Sequence, residues 1–409
     1  MVNEQDTGSG PSGLARHWAL DPSITFLNHG SFGACPRPVL AAQQRWRDQL
    51  EAEPVRFMVR ELEPALDAAR AALAAFVGAR AEDLVFVPNA TTAVSTVLAS
   101  LSFAPGDELL TTDHVYNACR NALDRTAQRT GARVVSVRVP FPLRDAEAFA
   151  TALLAAAGPR TKLALIDHVT SPTGLILPVE RLVPALQARG VDVLVDGAHA
   201  PGMLPLSLDA LGAAYYTGNC HKWICAPKGA ALLHVRADRQ AGIRPLVTSH
   251  GATSRRTDRS RFQLEFGWTG TDDPTAALCV PEALVFLGGL LPGGWPAHME
   301  ANRALARRAR DMLCAALSVP SPAPDTMLGS LAAVPLPDTP AGAPPGPFGL
   351  DPLQEALFRD HRIEVPVMPW PAPPQRLIRV AAQAYNSPGQ YERLASALRA
   401  LLPARAAAR

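Results

Sequence analysis

Apolar and polar positions follow two rhythms along this chain. Compact apolar runs, read as strands, occupy Leu84 to Pro88, Asp107 to Thr112, Arg133 to Val139, Lys162 to Val169, Val191 to Asp196, Ala213 to Tyr216 and Gly229 to Val235. Between them the apolar spacing turns helical: a helix opens at Asn89, and others fit residues 145–157 and 178–189. Upstream, residues 38–78 are helical with a break at Glu53-Pro54, because proline removes a backbone donor and clashes with the preceding turn. Strand–helix alternation of this kind predicts right-handed crossovers, a mostly parallel sheet and an α/β fold.

Past Val235 the strand signal fades. Residues 274–316 read as helical, Leu353 to His361 as a helix, and Arg362 to Met368 and Arg376 to Val380 as strands. The expected division is a flexible tail at 1–20, a large domain at 21–285 and a small C-terminal domain at 286–409, with residues 21–50 serving the small domain or a substrate mouth. Residues 319–347, rich in Pro, Ala and Gly, read as a lid or a disordered loop.

Composition narrows the function classes. With 409 residues, 48% hydrophobic and 19% charged, the chain can bury a large core. Lys+Arg 39 against Asp+Glu 37 leaves a net charge of +2 with no basic block, which argues against nucleic acid as a partner. No apolar stretch approaches a membrane span, and the polar N-terminus lacks the pattern of a signal peptide. Six scattered cysteines without a CxxC read as reduced thiols of a cytoplasmic enzyme, and no regular spacing suggests a metal site.

The candidate chemistry centres on Gly218-Asn219-Cys220-His221-Lys222-Trp223, between two strand-like runs. A buried ammonium is costly unless paired or chemically altered, and a lysine with a lowered pKa is a Schiff-base nucleophile toward a carbonyl cofactor. The plainer alternative is an exposed lysine after a strand. Upstream, the run from Val191 to Asp196 ends in a carboxylate, where an open α/β sheet binds ligands. Asp196 is read as the partner of a pyridinium nitrogen, or else a helix cap; His199, three residues on, reaches a ring phenolate or is a turn histidine.

Together with Asn28 to Gly33, Thr112 to Tyr116, Ser171 to Gly174 and Ile378 to Val380, the segments Val195 to Pro201 and His221 to Trp223 resemble the class V aminotransferase group of pyridoxal-phosphate enzymes. The likeness runs from about residue 25 to 390 and is strongest to the branch of isopenicillin N epimerase and cysteine-conjugate C–S lyases. It implies fold type I: a mostly parallel seven-stranded sheet with helices on both faces, plus a smaller α+β C-terminal domain. It also implies pyridoxal 5'-phosphate as cofactor and a homodimer with a site completed across the interface.

The same resemblance assigns roles. Asn28 and Ser31 lie at the substrate mouth, Arg60 faces substrate, and Arg379 holds a substrate carboxylate bidentately. Thr91, with the amides of Ala90 and Thr92 at a helix start, binds phosphate; the plainer alternative there is simple capping by Asn and Thr. His114 or Tyr116 stacks on the cofactor or serves as acid/base, Ser171 and His221 line the cofactor, and Thr271 reaches the phosphate of a neighbouring subunit. An amino-acid substrate replaces Lys222 in an imine and loses its Cα proton, with Lys222 as base. The expected activity is isopenicillin N epimerase-like, in secondary metabolism. A C–S (β-elimination) lyase or an aminotransferase is the alternative, and a non-catalytic member is disfavoured by Lys222, Asp196 and Arg379. Desulfurase-type persulfide chemistry is disfavoured too, because no cysteine follows Cys314 and His199 stands where desulfurases carry glutamine.

Overall fold

The computed structural model describes residues 10–340, 342 and 349–402. Its strands, in chain order, are β1 (Thr25–Phe26), β2 (Leu84–Val87), β3 (Glu108–Thr112), β4 (Arg133–Val137), β5 (Thr161–Asp167), β6 (Asp192–Asp196), β7 (Tyr215–Asn219), β8 (Ala231–Val235), β9 (Leu331–Pro335), β10 (Ile363–Glu364), β11 (Val367–Pro369) and β12 (Arg376–Ala381). A seven-stranded sheet has the order β2-β8-β7-β6-β5-β3-β4. Only β8 runs antiparallel to its neighbours; the pairs from β7 across to β4 are all parallel.

Both faces of this sheet are covered, which is why its strands read as nearly continuous apolar runs. Alternate residues serve alternate faces. Helices Ala90–Ser100 and Asn117–Thr130 bury Val94, Val97 and Leu123 against Leu109, Leu165 and Leu194. Helices Leu62–Val77 and Val179–Gln187 bury Leu73, Val77 and Leu182 against Leu110, Ile166 and Val195 on the other side. The chain steps outward from β3 to β4, then crosses back to β5. The order reverses between β3 and β5, where a crevice opens beyond the strand ends.

A second, antiparallel sheet, β11-β12-β9, packs on helices Gly294–Leu317 and Pro388–Leu401. Its core holds Leu313, Val334, Ile378, Val380, Tyr391 and Leu394. β1 pairs in parallel with β10, and Leu27 enters the same core, so the start of the chain joins the C-terminal layer.

Three expectations are corrected. Residues 10–20 are not a free tail: Trp18 is 2% exposed, its indole donates to the Ala34 carbonyl, and the Ser12 hydroxyl donates to Ala384. Residues 1–9 lie outside the described residues. The segment 319–347 is not wholly lid or loop, because β9 runs through it and pairs with β12; residues 341 and 343–347 lie outside the described residues. The single strand expected over 362–368 is two, in different sheets, parted at Val365-Pro366, where proline has no N–H to offer a ladder.

Candidate active site

Five loops leaving the carboxyl ends of β2, β3, β5, β6 and β7 meet the end of β12, and they carry most of the residues singled out above. After β7 the chain turns through Lys222. Three features fix that turn. His29 meets the Lys222 carbonyl through Nε2 at 2.9 Å and the Tyr385 hydroxyl through Nδ1 at 2.9 Å. Gly33, at φ 70°, lies so close that a Cβ would fall 2.0 Å from the His221 carbonyl oxygen. Cys225 holds a left-handed φ of 58° and returns its N–H to the Lys222 carbonyl at 3.0 Å. Such a conformation costs a non-glycine residue free energy and persists only where its surroundings enforce it.

The protonation of Lys222 follows from its neighbours. The Trp223 indole can only donate, and it points at His199 Nδ1 at 3.3 Å. A neutral His199 therefore carries its proton on Nε2, which sits 3.0 Å from Lys222 Nζ. Burial holds His199 well below the usual imidazole range, which keeps the ring neutral. Lys222 must then accept that hydrogen bond as a free amine. Consistently, burial pulls its pKa down to about 7, Arg379 pulls the same way, and Asp196 opposes.

Asp196 ends β6 at 3% exposure. Its Oδ1 accepts the Ala198 N–H at 2.9 Å and its Oδ2 accepts the Cys119 thiol at 3.3 Å. Burial raises the carboxyl, while those two bonds and Lys222 favour its ionised form. His221 is pulled down to about 4 by burial, and its Nδ1 is enclosed without a partner.

His114 and Tyr116 differ sharply. His114 is fully buried; its Nε2 donates to the Val139 carbonyl at 2.9 Å and its Nδ1 accepts from the Thr173 hydroxyl at 2.7 Å. Trp370 packs edge-on against it, with centroids 4.2 Å apart. Both ring nitrogens are committed, so His114 is a fixed aromatic surface. Tyr116 is 47% exposed, and its phenol has no hydrogen-bond partner among the described residues.

At the start of helix Ala90–Ser100 one expectation needs correcting. The amides of Ala90 and Thr92 are not free: Ala90 N–H donates to Asn219 Oδ1 at 2.9 Å and Thr92 N–H to Asn89 Oδ1 at 2.8 Å. Side-chain amides cap the helix, so only the Thr91 amide and hydroxyl stay uncommitted there. Asn219, which ends β7, thus ties the start of helix Ala90–Ser100 to the lysine turn.

Arg379 closes the opposite wall. It is 4% exposed, donates to the Ser171 carbonyl, and reaches Ser171 Oγ at 3.3 Å and Ser31 Oγ at 3.1 Å. Ser31 in turn donates to Asn28 Oδ1 at 2.6 Å, and Asn28 donates to Glu364 at 3.0 Å. No carboxylate pairs with Arg379 among the described residues, and burial lowers its pKa to about 10. A buried guanidinium held by neutral acceptors is built for an anion that arrives.

Two of the expected residues are not brought into this cluster. Arg60 is exposed in a groove with Glu63, Asp67 and residues 250–268, and Thr271 is exposed on the turn after Trp268. Sequence reasoning missed Asn219, Cys119, Trp370 and the locking role of Thr173; capping by Asn89, the plainer alternative at the helix start, holds.

These residues fit pyridoxal 5'-phosphate: a neutral lysine amine for its aldehyde, a carboxylate for its ring nitrogen, an imidazole N–H for its phenolate and a flat ring to stack on. The chain matches the family described as Aminotransferase class-V over residues 28–287. It is 38% identical to isopenicillin N epimerase of Amycolatopsis lactamdurans, covering 94% of this chain and 96% of that one. It is 31% identical to putative L-cysteine desulfhydrase 2 of Oryza sativa subsp. japonica, covering 93% and 85%. Among solved structures, the cystine C–S lyase C-DES in complex with cysteine persulfide is similar in fold, with a TM-score of 0.76 at 22% identity over 93% of this chain and 98% of that one. No helix among the described residues is long and apolar enough to cross a membrane. A family match over residues 28–287, with relatives 38% and 31% identical along nearly the whole chain, makes this protein a pyridoxal-phosphate-dependent enzyme that belongs to the class V aminotransferase family.

Proposed function

We propose that this enzyme inverts the α-carbon of an amino-acid-like substrate, as an isopenicillin N epimerase-like member of its family. Bound pyridoxal phosphate supplies the electron sink that makes the Cα proton labile. The chain's own residues do the rest. Arg379, steadied by Ser31 and Ser171, holds the substrate carboxylate. The Lys222 amine, freed by substrate, takes the Cα proton, and the low pKa set by burial suits a base near neutral pH. His199 Nε2–H orients the ring phenolate, and His114 backs the ring face.

Inversion needs a second proton carrier. The observation that carries this reading is the contrast between His114, whose two nitrogens are both committed, and Tyr116, whose phenol is half-exposed and without a hydrogen-bond partner among the described residues. Tyr116 is therefore the acid for the second face. The lyase alternative is favoured by the 31% identity to a putative L-cysteine desulfhydrase. Exposed Val59, Leu246 and Val247 border the grooves that hold Arg60 and the 266–274 turn, which supports a homodimer in which Arg60 and Thr271 serve the partner's site. All six cysteines are free thiols, which supports a cytoplasmic setting.

The test is turnover of free amino acids, peptides with a free α-amino carboxylate and cysteine conjugates in deuterated water. Epimerisation yields product of inverted configuration, one deuteron heavier at Cα and otherwise unchanged. Tyr116→Phe retains Cα exchange on the starting enantiomer and loses inversion. Release of pyruvate or ammonia from the wild type overturns the epimerase reading in favour of the lyase.

A further inference from the structure

Behind Asp196 lies a second acid that the mechanism does not use. Asp167 ends β5 as Asp196 ends β6, and the two are direct partners in the parallel register. Paired residues on adjacent parallel strands project to the same face of the sheet. Both are buried, at 2% and 3% exposure. Their surroundings differ. Each Asp196 oxygen accepts a hydrogen bond, from the Ala198 amide and the Cys119 thiol. Asp167 Oδ2 is enclosed with no partner at all, and no cation pairs with Asp167 among the described residues. The remaining polar groups against it are the backbone amides of Asp167 itself and of Tyr116, with the Cys119 thiol nearby.

Two adjacent buried carboxyls cannot both ionise without a large repulsion in a poorly screened medium. One proton is therefore held by the pair, and the hydrogen bonds decide where it rests. Asp196 has the donors that a carboxylate needs; Asp167 has a bare oxygen, which a carboxylate tolerates worst. We propose that Asp167 is the neutral, proton-bearing member of a carboxylic acid–carboxylate pair with Asp196, a positioning residue that leaves Asp196 as the single full charge on the floor of the site. The consequence rests on the reading that Asp196 faces the ring nitrogen of the cofactor: that nitrogen then meets one fixed negative charge of defined direction, not a pair that repel each other. Burial and the Asp196 charge both push the Asp167 carboxyl well above the ordinary range, in keeping with the geometry.

Infrared spectroscopy of the full chain without cofactor tests this independently of catalysis. The wild type shows the carbonyl stretch of a protonated, buried carboxylic acid at neutral pH, and the band moves when aspartate carrying a ¹³C carboxyl is incorporated. It vanishes in Asp167→Asn and persists in Asp196→Asn. Absence of the band from the wild type overturns the proposal without any variant having to fold, and so does its loss in Asp196→Asn with retention in Asp167→Asn. The loaded enzyme gives a second readout. Absorbance of the bound cofactor keeps its position and pH response in Asp167→Asn, whereas Asp196→Asn shifts it. A shift in Asp167→Asn equal to that in Asp196→Asn shows that Asp167 lends charge to the ring, and the proposal fails. Failure of the whole cofactor assignment is distinguishable, since the wild type would then bind no pyridoxal phosphate while the infrared result still stood.

Discussion

Two buried arginines stand three residues apart on β12, and their surroundings separate structure from chemistry. Arg376 is 6% exposed and donates to Asp351, equally buried, at 2.6 Å and to the Pro337 carbonyl at 2.9 Å. Its charge is answered within the chain. Arg379 is as deeply buried, yet it meets only a carbonyl and two hydroxyls. Arg376 is answered; Arg379 is left with neutral acceptors alone. A third region, the surface mat of Arg256, Arg259, Glu63 and Asp67, has many charges, nearly all paired and partly exposed. Burial without compensation, not the density of charge, sets Arg379 apart.

The comparison can be broken by substitution. Arg376→Ala strands the Asp351 carboxylate and should lower unfolding free energy by about 3–5 kcal/mol, read from denaturant melts, with kcat/KM per folded molecule unchanged. Arg379→Met should do the reverse. It should cost about 2–5 kcal/mol in kcat/KM, while stability holds or rises because an uncompensated buried cation is gone. Equal loss of stability in both variants would erase the distinction.

Lys222 sharpens the contrast through pH. Its pKa lies at about 7 against an ordinary 10.5, so the amine that attacks the cofactor aldehyde is free above 7 and lost below it. Growth of the imine absorbance after adding pyridoxal phosphate should slow about tenfold per pH unit below that point and level off above it, and Lys222→Ala should show no such band. The sign for stability follows. Between 7 and 10.5 the unfolded chain holds the extra proton, so stability of the cofactor-free protein should rise with pH in that window relative to Lys222→Met. The smallest effect belongs to the surface: Arg256→Ala should leave the denaturant midpoint essentially where it is, since both partners of its ion pair stay half in water.

What could be read from the sequence follows the same division. Lys222, Asp196 and Arg379 break the apolar rhythm of strands or strand ends, where a charge is conspicuous. The seven large-sheet strands are legible because both faces are covered and the runs are nearly unbroken. Asp167 also ends a strand, but its importance depends on lying opposite Asp196, and a single chain does not display register. Asn219 and Cys119 act through contacts far apart in sequence, 129 and 77 residues respectively. The Ala90 and Thr92 amides were misread because helix-start donors attract an anion only while no side chain has claimed them. Trp18 and β9 were missed for a related reason: glycine- and proline-rich surroundings look loose until a distant partner, Tyr385 or β12, holds them.

The segment from Thr25 to Gly33 has a mechanical meaning of its own. At one end it is stitched into the C-terminal layer through β10; at the other it grips the peptide of the lysine turn through His29 and Gly33. The layer that bears Arg379 and the peptide of Lys222 are therefore joined by a tether of nine residues, anchored at both ends.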